Sequence, residues 1–390
     1  MLNTEENALL TQVGPQTPCG DMLRRYWWPI GEYADIGKAP VVVRLLGEEF
    51  VAFRDGDGEV GMLDLQCAHR GASLEFGRVE DQGLRCCYHG WLFDRDGKCL
   101  DQPCEPVDSN FKDRVRQGAY PVFEVSGFVF AYIGPLPAPA FPKYDLLFND
   151  NCNKNVYGRD MQSNWLQRVE NMLDMLHVMC LHASLYPELA FTRPKSYDWA
   201  DRWYGVQMDL TYPNGTEDRH HYVFPFINRV QVMRAGQEPF QFMQWVAPVD
   251  DTRCISYQIW ASEAEEGPYS LNTGKFQHTV RGEYKRVEDG FWNIWERDQD
   301  DVATDSQGIV ADRTAEHLGV SDRGVILLRK MIGDAIDAAA RGEDPQGVLR
   351  DADHEIIDLY AWKTELGGVP GQIRSAELGE KLEIVQPFDL

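Results

Sequence analysis

The segment CAHRGASLEFGRVEDQGLRCCYHGW contains four side chains of the kinds that bind metals, arranged as two short pairs. One residue separates Cys67 from His69, and two residues separate Cys86 from His89. Turn-prone residues follow each pair, so both pairs are expected at the tips of adjacent hairpins. No other feature constrains the fold as strongly, because two thiols and two imidazoles that share a metal centre must lie side by side.

Two cysteines and two histidines are the ligand set of a Rieske [2Fe-2S] centre, in which the thiolates hold one iron and the imidazoles the other. A tetrahedral zinc site takes the same residue types, so ligand chemistry alone leaves both metals open. The pattern CxH followed by CxxH, flanked by HRG and YHGW, resembles the Rieske family closely and zinc-finger spacing poorly. The resemblance implies that the cluster ligands are Cys67, His69, Cys86 and His89.

A further cysteine, Cys87, follows Cys86 and creates an ambiguity of register. Neighbouring residues of an extended strand point to opposite faces, so only one of the two thiols can easily face the cluster. The resemblance to Rieske domains selects Cys86. Cys87 is then expected to be a small buried apolar residue.

Hydrophobic periodicity divides the chain into two parts, on either side of a proline-rich stretch at residues 134–144. Before it, short alternating runs separated by DG turns, from VVVRLLG to GFVFAYIG, predict a small antiparallel β domain. After it come the helical pattern SNWLQRVENMLDMLHVMCLH, several strand-like runs, and two helical patterns, SDRGVILLRKMIGDAIDAAARG and ADHEIIDLYAWKTELGG. We expect an α+β protein with domains at residues 1–140 and 141–390, the second built on a large antiparallel sheet covered by helices.

Composition and charge restrict the partners of the chain. Its 390 residues carry a formal net charge of -24, which repels nucleic-acid phosphates and anionic membranes. The N-terminus has no signal-peptide pattern, and no uncharged apolar run reaches membrane-spanning length. We therefore expect a cytoplasmic protein without nucleic-acid or membrane partners, in which the nine cysteines stay reduced.

A second group of potential ligands, Asp174, His177 and His182, lies in the helical pattern that follows residue 163. Asp174 and His177 share a helical face, whereas His182 lies about 140° from His177 around an ideal helix. The two imidazoles can share a metal only where the helix ends or distorts, and Pro187 favours an end near His182. Two histidines and a carboxylate form the facial triad of non-haem iron(II) oxygenases. A catalytic zinc is the alternative, but the HExxH signature is absent.

The chain resembles, over nearly its whole length, the oxygenase α subunits of Rieske ring-hydroxylating and demethylating oxygenases. Besides the Rieske pattern, the residues that carry the resemblance are Asn164, Trp165, Glu170, Asn171, Asp174, His177 and His182. A later segment, DQDDVATDSQGIVADRTAEHLGVSD, is similar to the branch that contains phthalate 4,5-dioxygenase and dehydrodivanillate O-demethylase. By that match Asp300 is the carboxylate ligand of the iron, and its neighbours Asp298, Asp301 and Asp305 are the alternatives.

The resemblance implies a helix-grip-like catalytic domain with a mononuclear Fe(II), which receives electrons through the Rieske cluster and uses O2. The electrons come from an NAD(P)H-dependent reductase, with or without a ferredoxin. Asp174 is implied to connect His177 with His89 of a neighbouring subunit, so a homotrimer is the expected assembly.

The expected reaction is hydroxylation or O-demethylation of a small aromatic substrate, with an aromatic carboxylate favoured. Cis-dihydroxylation or N-demethylation of another small molecule is the alternative within the family. A Rieske electron-transfer protein is the non-enzyme alternative, but such a protein needs only the first centre.

Substrate-contacting residues are less well defined. Four arginines are candidates to bind a substrate carboxylate: Arg219, Arg229, Arg234 and Arg253. Three aromatic residues are candidates to line a pocket: Trp245, Phe291 and Trp292. Surface placement of the arginines and core placement of the aromatics remain the simpler alternatives.

Overall fold

The computed structural model of the chain describes residues 2–37, 39–185, 187, 190–213, 217–232, 240–263, 267–288, 290–295 and 298–359. Within these residues it contains four β-sheets, one of eight strands and three smaller ones. The structure confirms the predicted α+β class and the division into small sheets first and a large antiparallel sheet later. Among the described residues, no helix combines the length and the apolar character needed to cross a membrane.

The three small sheets lie in the first part of the chain and are antiparallel. One contains β1 (Trp27–Glu32), β10 (Val122–Val125) and β11 (Phe128–Tyr132), with β11 in the centre. A second has the order β2 (Val41–Leu45), β3 (Glu48–Arg54), β4 (Val60–Asp64) and β9 (Ala119–Tyr120). The third consists of β5 (Arg78–Glu80), β6 (Gly83–Arg85), β7 (Leu92–Phe93) and β8 (Cys99–Asp101).

The eight-stranded sheet is formed by the second part of the chain. Its order is β13 (Ser196–Arg202), β14 (Gly205–Thr211), β15 (Glu217–Val223), β16 (Ile227–Val232), β17 (Phe240–Pro248), β18 (Cys254–Glu263), β12 (Cys152–Met161) and β19 (Leu271–Thr273). Only β19 runs parallel to its neighbour. Alternate residues of β12 are buried, as expected for a strand with one covered face.

Helices cover this sheet and connect it with the N-terminus. They are α1 (Thr4–Thr11), α2 (Pro18–Leu23), α3 (Asp145–Phe148), α4 (Trp165–Leu173), α5 (Val178–Leu181), α6 (Gln299–Asp305) and α7 (Arg323–Ala340). Asn164 caps α4, because its side chain accepts a hydrogen bond from the backbone of Leu166. The predicted helix at residues 321–342 is confirmed as α7.

The second C-terminal helix prediction, residues 352–368, is wrong for residues 352–359, and the remainder lies outside the described residues. This segment forms no helix. Ile357 instead forms a parallel bridge with Tyr144, and its backbone is hydrogen-bonded to Lys143 and Asp145. A helical pattern in the sequence is therefore overridden by pairing with a distant segment.

The N-terminal helices pack against the C-terminal half of the chain. Helix α2 contacts α7, and α1 contacts both α4 and α7. Side-chain hydrogen bonds reinforce this contact, since Asn7 donates to the carbonyl of Ala311 and Arg25 to the carbonyl of Ala339. The domain boundary at residue 140 remains a prediction, and the first two helices are attached to the second of the two parts.

Candidate metal centres

Two loops with the same backbone geometry carry the first group of ligands. After β4, the amide of Cys67 bonds to the carbonyl of Ala72, and the amide of Gly71 bonds back to Cys67. After β6, Cys86 bonds in the same way to Trp91, and Gly90 bonds back to Cys86. Gly71 and Gly90 have φ angles of 72° and 73°, a region that favours glycine. The hairpin tips predicted from the sequence are thus two matching turns.

These loops bring the four predicted residues together. The thiols of Cys67 and Cys86 are buried next to each other, and burial raises the pKa of Cys67 to about 12, with the nearby Cys86 adding to the effect. The rings of His69 and His89 lie 4.5 Å apart, and His69 stacks on Trp91 at 4.2 Å. Nδ1 of His69 is buried without a hydrogen-bond partner among the described residues. Two adjacent buried thiols and a ring nitrogen without a described partner are the donors that an iron-sulfur cluster requires.

The expectation for Cys87 is wrong. Cys86 is buried, but Cys87 is exposed in the turn between Cys86 and His89. The alternation of faces along a strand does not apply, because residues 87–89 form a turn rather than a strand.

The second group depends on a break in the helical segment. Helix α4 ends at Leu173, and Asp174 adopts φ -85° and ψ 88°, which is not helical. A 3₁₀ turn, Met175–His177, and the short helix α5 follow, and α5 ends at Leu181. The predicted helix end near His182 is therefore confirmed, because α5 ends at Leu181, and the structure adds a break at Asp174, before both histidines. The carboxylate of Asp174 stabilises the break by accepting the amide of Leu176 at 3.0 Å.

The break directs two imidazoles at one carboxylate. Oδ1 of Asp300, on α6, lies 3.4 Å from Nε2 of His177 and 3.3 Å from Nε2 of His182. One donor atom from each of the three residues falls within 4.8 Å of the others. Although burial opposes it, hydrogen bonding from His177 and His182 holds the pKa of Asp300 well below its usual range. Two imidazoles and an ionised carboxylate are the donor set of a facial triad.

The other acids near Asp300 contact groups other than the two imidazoles. Asp301 forms an ion pair with Arg159, and Asp298 lies 3.4 Å from the same guanidinium group. Asp305 accepts the hydroxyl of Tyr284 at 2.7 Å. Among these four acids, only Asp300 lies against both imidazoles.

Three further groups orient the triad, and the sequence did not reveal their roles. Oε1 of the buried Gln299 lies 2.8 Å from Nδ1 of His182, so the ring donates there and presents Nε2 to Asp300. The carbonyl of Asp174 accepts Nδ1–H of His177 in the same way. The amide of Asn171 donates to Oδ1 of Asp300 at 3.3 Å. Partners of this kind fix the tautomer and direction of metal ligands.

The candidate arginines that the structure describes are paired with acids. Arg229 is buried and paired with Asp145, at 2.7 Å. Arg219 is paired with Asp209 at 2.6 Å, and Arg253 lies 3.4 Å from Asp160. Arg234 lies outside the described residues. Of the candidate aromatics, Trp245 is buried against Phe128 and Phe130, whereas Phe291 is exposed and Trp292 half-buried.

The fold and the two donor sets define a Rieske-domain protein with a second, mononuclear metal site. Comparison with known proteins agrees, because residues 26–117 match the Rieske [2Fe-2S] domain family. The chain is 35% identical to the 5,5'-dehydrodivanillate O-demethylase oxygenase subunit of Sphingobium sp., over 90% of this chain and 84% of that protein. It is 30% identical to the phthalate 4,5-dioxygenase oxygenase subunit of Pseudomonas putida, over 89% of each. It also shares the fold of NdmA from Pseudomonas putida CBB5, with a TM-score of 0.66 at 21% identity, over 87% of this chain and 99% of that one.

The chain therefore belongs to the Rieske non-haem iron oxygenases, as an oxygenase subunit of the phthalate 4,5-dioxygenase and dehydrodivanillate O-demethylase branch. Its cofactors are a Rieske [2Fe-2S] cluster and a mononuclear iron, with O2 as co-substrate. Membership in this family excludes the alternative of a protein that only transfers electrons.

Proposed function

We propose that Cys67, His69, Cys86 and His89 hold the Rieske cluster, and that His177, His182 and Asp300 hold the mononuclear iron. The observation that supports the second assignment is the convergence of two Nε2 atoms and one carboxylate oxygen within 4.8 Å. When bound, the two groups supply single electrons and the reductive activation of dioxygen. Each of the three donor residues is oriented by a hydrogen bond, from Asn171 to Asp300, from His177 to the carbonyl of Asp174, and from His182 to Gln299.

Asp174 is proposed to connect the two centres across a subunit boundary. Within one chain the described contacts include none between Asp174 and His89, so the connection needs a second copy. The Rieske loops offer a surface for it, because Tyr88 is 57% exposed and its ring lies 3.8 Å from that of His89. A homotrimer, in which each Rieske domain meets the iron site of a neighbour, satisfies this arrangement.

Electrons are proposed to come from an NAD(P)H-dependent reductase, with or without a ferredoxin. A cytoplasmic location fits the nine cysteines, which form no disulfide among the described residues, as expected in a reducing compartment. The net charge of -24 argues against nucleic acid as a partner.

The proposed reaction is monooxygenation of a small aromatic substrate, as O-demethylation or hydroxylation. In O-demethylation, an aryl methyl ether, O2, two electrons and two protons give a phenol, formaldehyde and water. Support comes from the relative named as a 5,5'-dehydrodivanillate O-demethylase oxygenase subunit. A relative named as a phenoxybenzoate dioxygenase subunit, 34% identical over 87% of each chain, supports dioxygenation as the alternative. An aromatic carboxylate remains the favoured substrate by branch, although the described candidate arginines are all paired with acids. Cis-dihydroxylation and N-demethylation are the alternatives.

The test is an oxygen-uptake screen with a reductase, using methoxylated aromatic acids, phthalates and N-methylated heterocycles, with formaldehyde detection. Formaldehyde in equimolar amount to the O2 consumed is expected for a demethylase, and a cis-diol for a dioxygenase. Absence of a Rieske EPR signal after anaerobic iron-sulfur reconstitution would refute the assignment of the first centre.

A further inference from the structure

One buried arginine differs from the others in having no counter-ion. The buried arginines among the described residues are Arg24, Arg168, Arg229, Arg313 and Arg329. Four of them form an ion pair with a carboxylate. Arg168 is the exception, because no carboxylate of the described residues lies within ion-pair distance of it. Burying a cation without a counter-ion is strongly unfavourable, so the position of Arg168 requires an explanation.

The guanidinium group of Arg168 makes one side-chain hydrogen bond to the described part of the chain. Its Nη1 donates to Oδ1 of Asn171, one turn later on α4, at 3.3 Å. Its Nε is buried and has no partner among the described residues. Because an amide oxygen carries no net charge, this contact leaves the positive charge of Arg168 without compensation.

The same hydrogen bond connects Arg168 with the proposed iron site. Nδ2 of the Asn171 side chain donates to Oδ1 of Asp300, also at 3.3 Å. The two hydrogen bonds and the amide group between them place Nη1 of Arg168 within about 9 Å of that carboxylate oxygen. Asn171 therefore lies between the unpaired cation and a proposed iron ligand.

The other described arginine beside Asp300 is compensated. Arg159 pairs with Asp301, and Asp298 lies 3.4 Å from the same guanidinium group. These acids also offset part of the repulsion between Arg168 and a metal dication, so iron can bind near it. Of these two arginines, only Arg168 has no acid of its own.

A fixed cation near a metal favours the lower oxidation state of that metal. Fe(III) carries one more positive charge than Fe(II), so a cation repels the ferric form more strongly. At about 10 Å and an effective dielectric constant of about 20, one unit charge shifts the ferrous-to-ferric ratio by about 10-fold. Arg168 is only 7% exposed, so salt screens little of this effect.

We propose that Arg168 raises the Fe(III)/Fe(II) reduction potential of the mononuclear iron through its unpaired charge. The proposal rests on the proposed iron site and adds a residue that bonds, in the described contacts, to none of the three ligands. Its effect is to keep the iron ferrous, the state in which the facial triad serves this class of oxygenases. The hydrogen bond to Asn171 holds the guanidinium group at a fixed distance from Asp300.

The test is an EPR redox titration of Rieske-reconstituted, iron-loaded protein. In one sample, the high-spin ferric signal reports the mononuclear iron, and the Rieske signal reports the reduced cluster. Arg168→Met and Arg168→Gln remove the charge, and both are expected to lower the potential of the mononuclear iron by about 59 mV or more, the equivalent of a 10-fold change. Gln can still donate to Asn171, so this variant separates the charge from the hydrogen bond. Arg168→Lys, which keeps the charge, is expected to titrate close to wild type.

The potential of the Rieske cluster is the internal control and is expected to stay the same in every variant. Arg44→Met is the control for loss of one arginine charge, because Arg44 is exposed and pairs with Glu49 in the first part of the chain. It is expected to leave both potentials unchanged.

A wild-type potential of the mononuclear iron in both neutral variants would overturn the proposal. An equal decrease in Arg168→Lys would also overturn it, because the effect would then not follow the charge. Loss of iron from both neutral variants would do the same, by showing that Arg168 holds the site together rather than setting its potential.

Failure of the proposed function would be visible separately. It would show in the wild type as a missing Rieske signal, or as a ferric signal that persists in His177→Ala. Failure of this inference alone would show as a wild-type protein with both signals and a potential of the mononuclear iron that does not respond to the Arg168 variants.

Discussion

A single buried amide, Gln299, orients one of the proposed iron ligands. Its oxygen holds the Nδ1 proton of His182, and this contact decides which ring nitrogen faces Asp300. The histidine is thus oriented before any metal binds, which lowers the entropy cost of coordination.

Gln299→Leu is expected to weaken ferrous-iron affinity about 10- to 100-fold, because His182 loses its orienting acceptor. Gln299→Glu, which keeps an acceptor, should retain most of the affinity. The measurement is iron retained during titration with a ferrous chelator. Gln162→Leu is the control, because the side chain of Gln162 bonds to the carbonyl of Thr279 and to no ligand. Equal affinity in all three variants would contradict the positioning role.

At the residue scale, the sequence predicted the donor residues that the fold brings together, but not the residues that orient them. The spacing of cysteines and histidines is a local pattern, and resemblance supplied the carboxylate Asp300. The amide partners of these ligands come from residues brought near by folding, so no local pattern marks them. Gln299 was visible as the neighbour of Asp300, yet its contact with His182 spans 117 positions of the chain.

At the element scale, a buried charge network fixes the position of the helix that precedes the iron ligands. Glu170, on α4, accepts hydrogen bonds from Arg313 at 2.8 Å and from Arg329, on α7, at 2.7 Å. Arg329 also pairs with Glu316 at 2.9 Å. The Arg313 side chain is only 1% exposed, so its charge depends on this partner. The network joins α4, α7 and the loop after α6.

Glu170→Ala is expected to lower the free energy of unfolding by about 3 to 5 kcal/mol, because two largely buried guanidinium groups lose a partner. The measurement is a thermal or denaturant unfolding curve of the metal-loaded protein. The control is Asp334→Ala, which removes the exposed pair with Lys330 and should leave the midpoint unchanged. Equal midpoints for the two variants would show that the network adds no stability.

The sequence predicted the elements better than the places where they break. Helical periodicity continues through Asp174, so the change to a 3₁₀ turn cannot be read from apolar spacing. The same limitation explains the error at residues 352–359, where pairing with residues 143–145 replaces a helix. The break depends on the side-chain contact between Asp174 and the amide of Leu176, and the error at residues 352–359 depends on pairing with a distant segment; apolar spacing marks neither.

At the scale of the whole molecule, Glu32 lies where β1 meets the large sheet. Its carboxyl group accepts the amide of Gly158, on β12, at 3.2 Å. Burial, together with the nearby Asp35, raises the pKa of Glu32 from 4.5 to about 7, and Tyr257 also faces this group. The folded protein therefore holds a proton on Glu32 that the unfolded chain releases above about pH 4.5.

Because the folded pKa is raised, the contribution of Glu32 to stability is expected to fall as pH rises from about 4.5 to about 7, and to change little beyond. Glu32→Gln cannot ionise and should lose this part of the slope. The measurement is the melting temperature of both proteins between pH 5 and pH 8. Parallel pH profiles would show that the carboxyl group does not titrate in this window.

The proposed assembly gives a prediction about Asp174. Asn caps a helix about as well as Asp, so Asp174→Asn should preserve the break before His177 while removing the charge. Both metals should be retained, and most oxygenation should be lost because the link to the neighbouring Rieske centre is weakened. The measurements are iron content, Rieske EPR and oxygen uptake. Full turnover by the variant would refute the connecting role.

The packing of α2 on α7 has a consequence for biosynthesis. About 300 residues separate Leu23, at the end of α2, from Arg323, at the start of α7. At about 5 to 20 residues per second, the ribosome needs about 15 to 60 seconds to synthesise α7 after α2. During that interval the buried face of α2, with Met22 and Leu23, is unprotected. The nascent chain is therefore expected to need a chaperone on α2 until α7 has been synthesised.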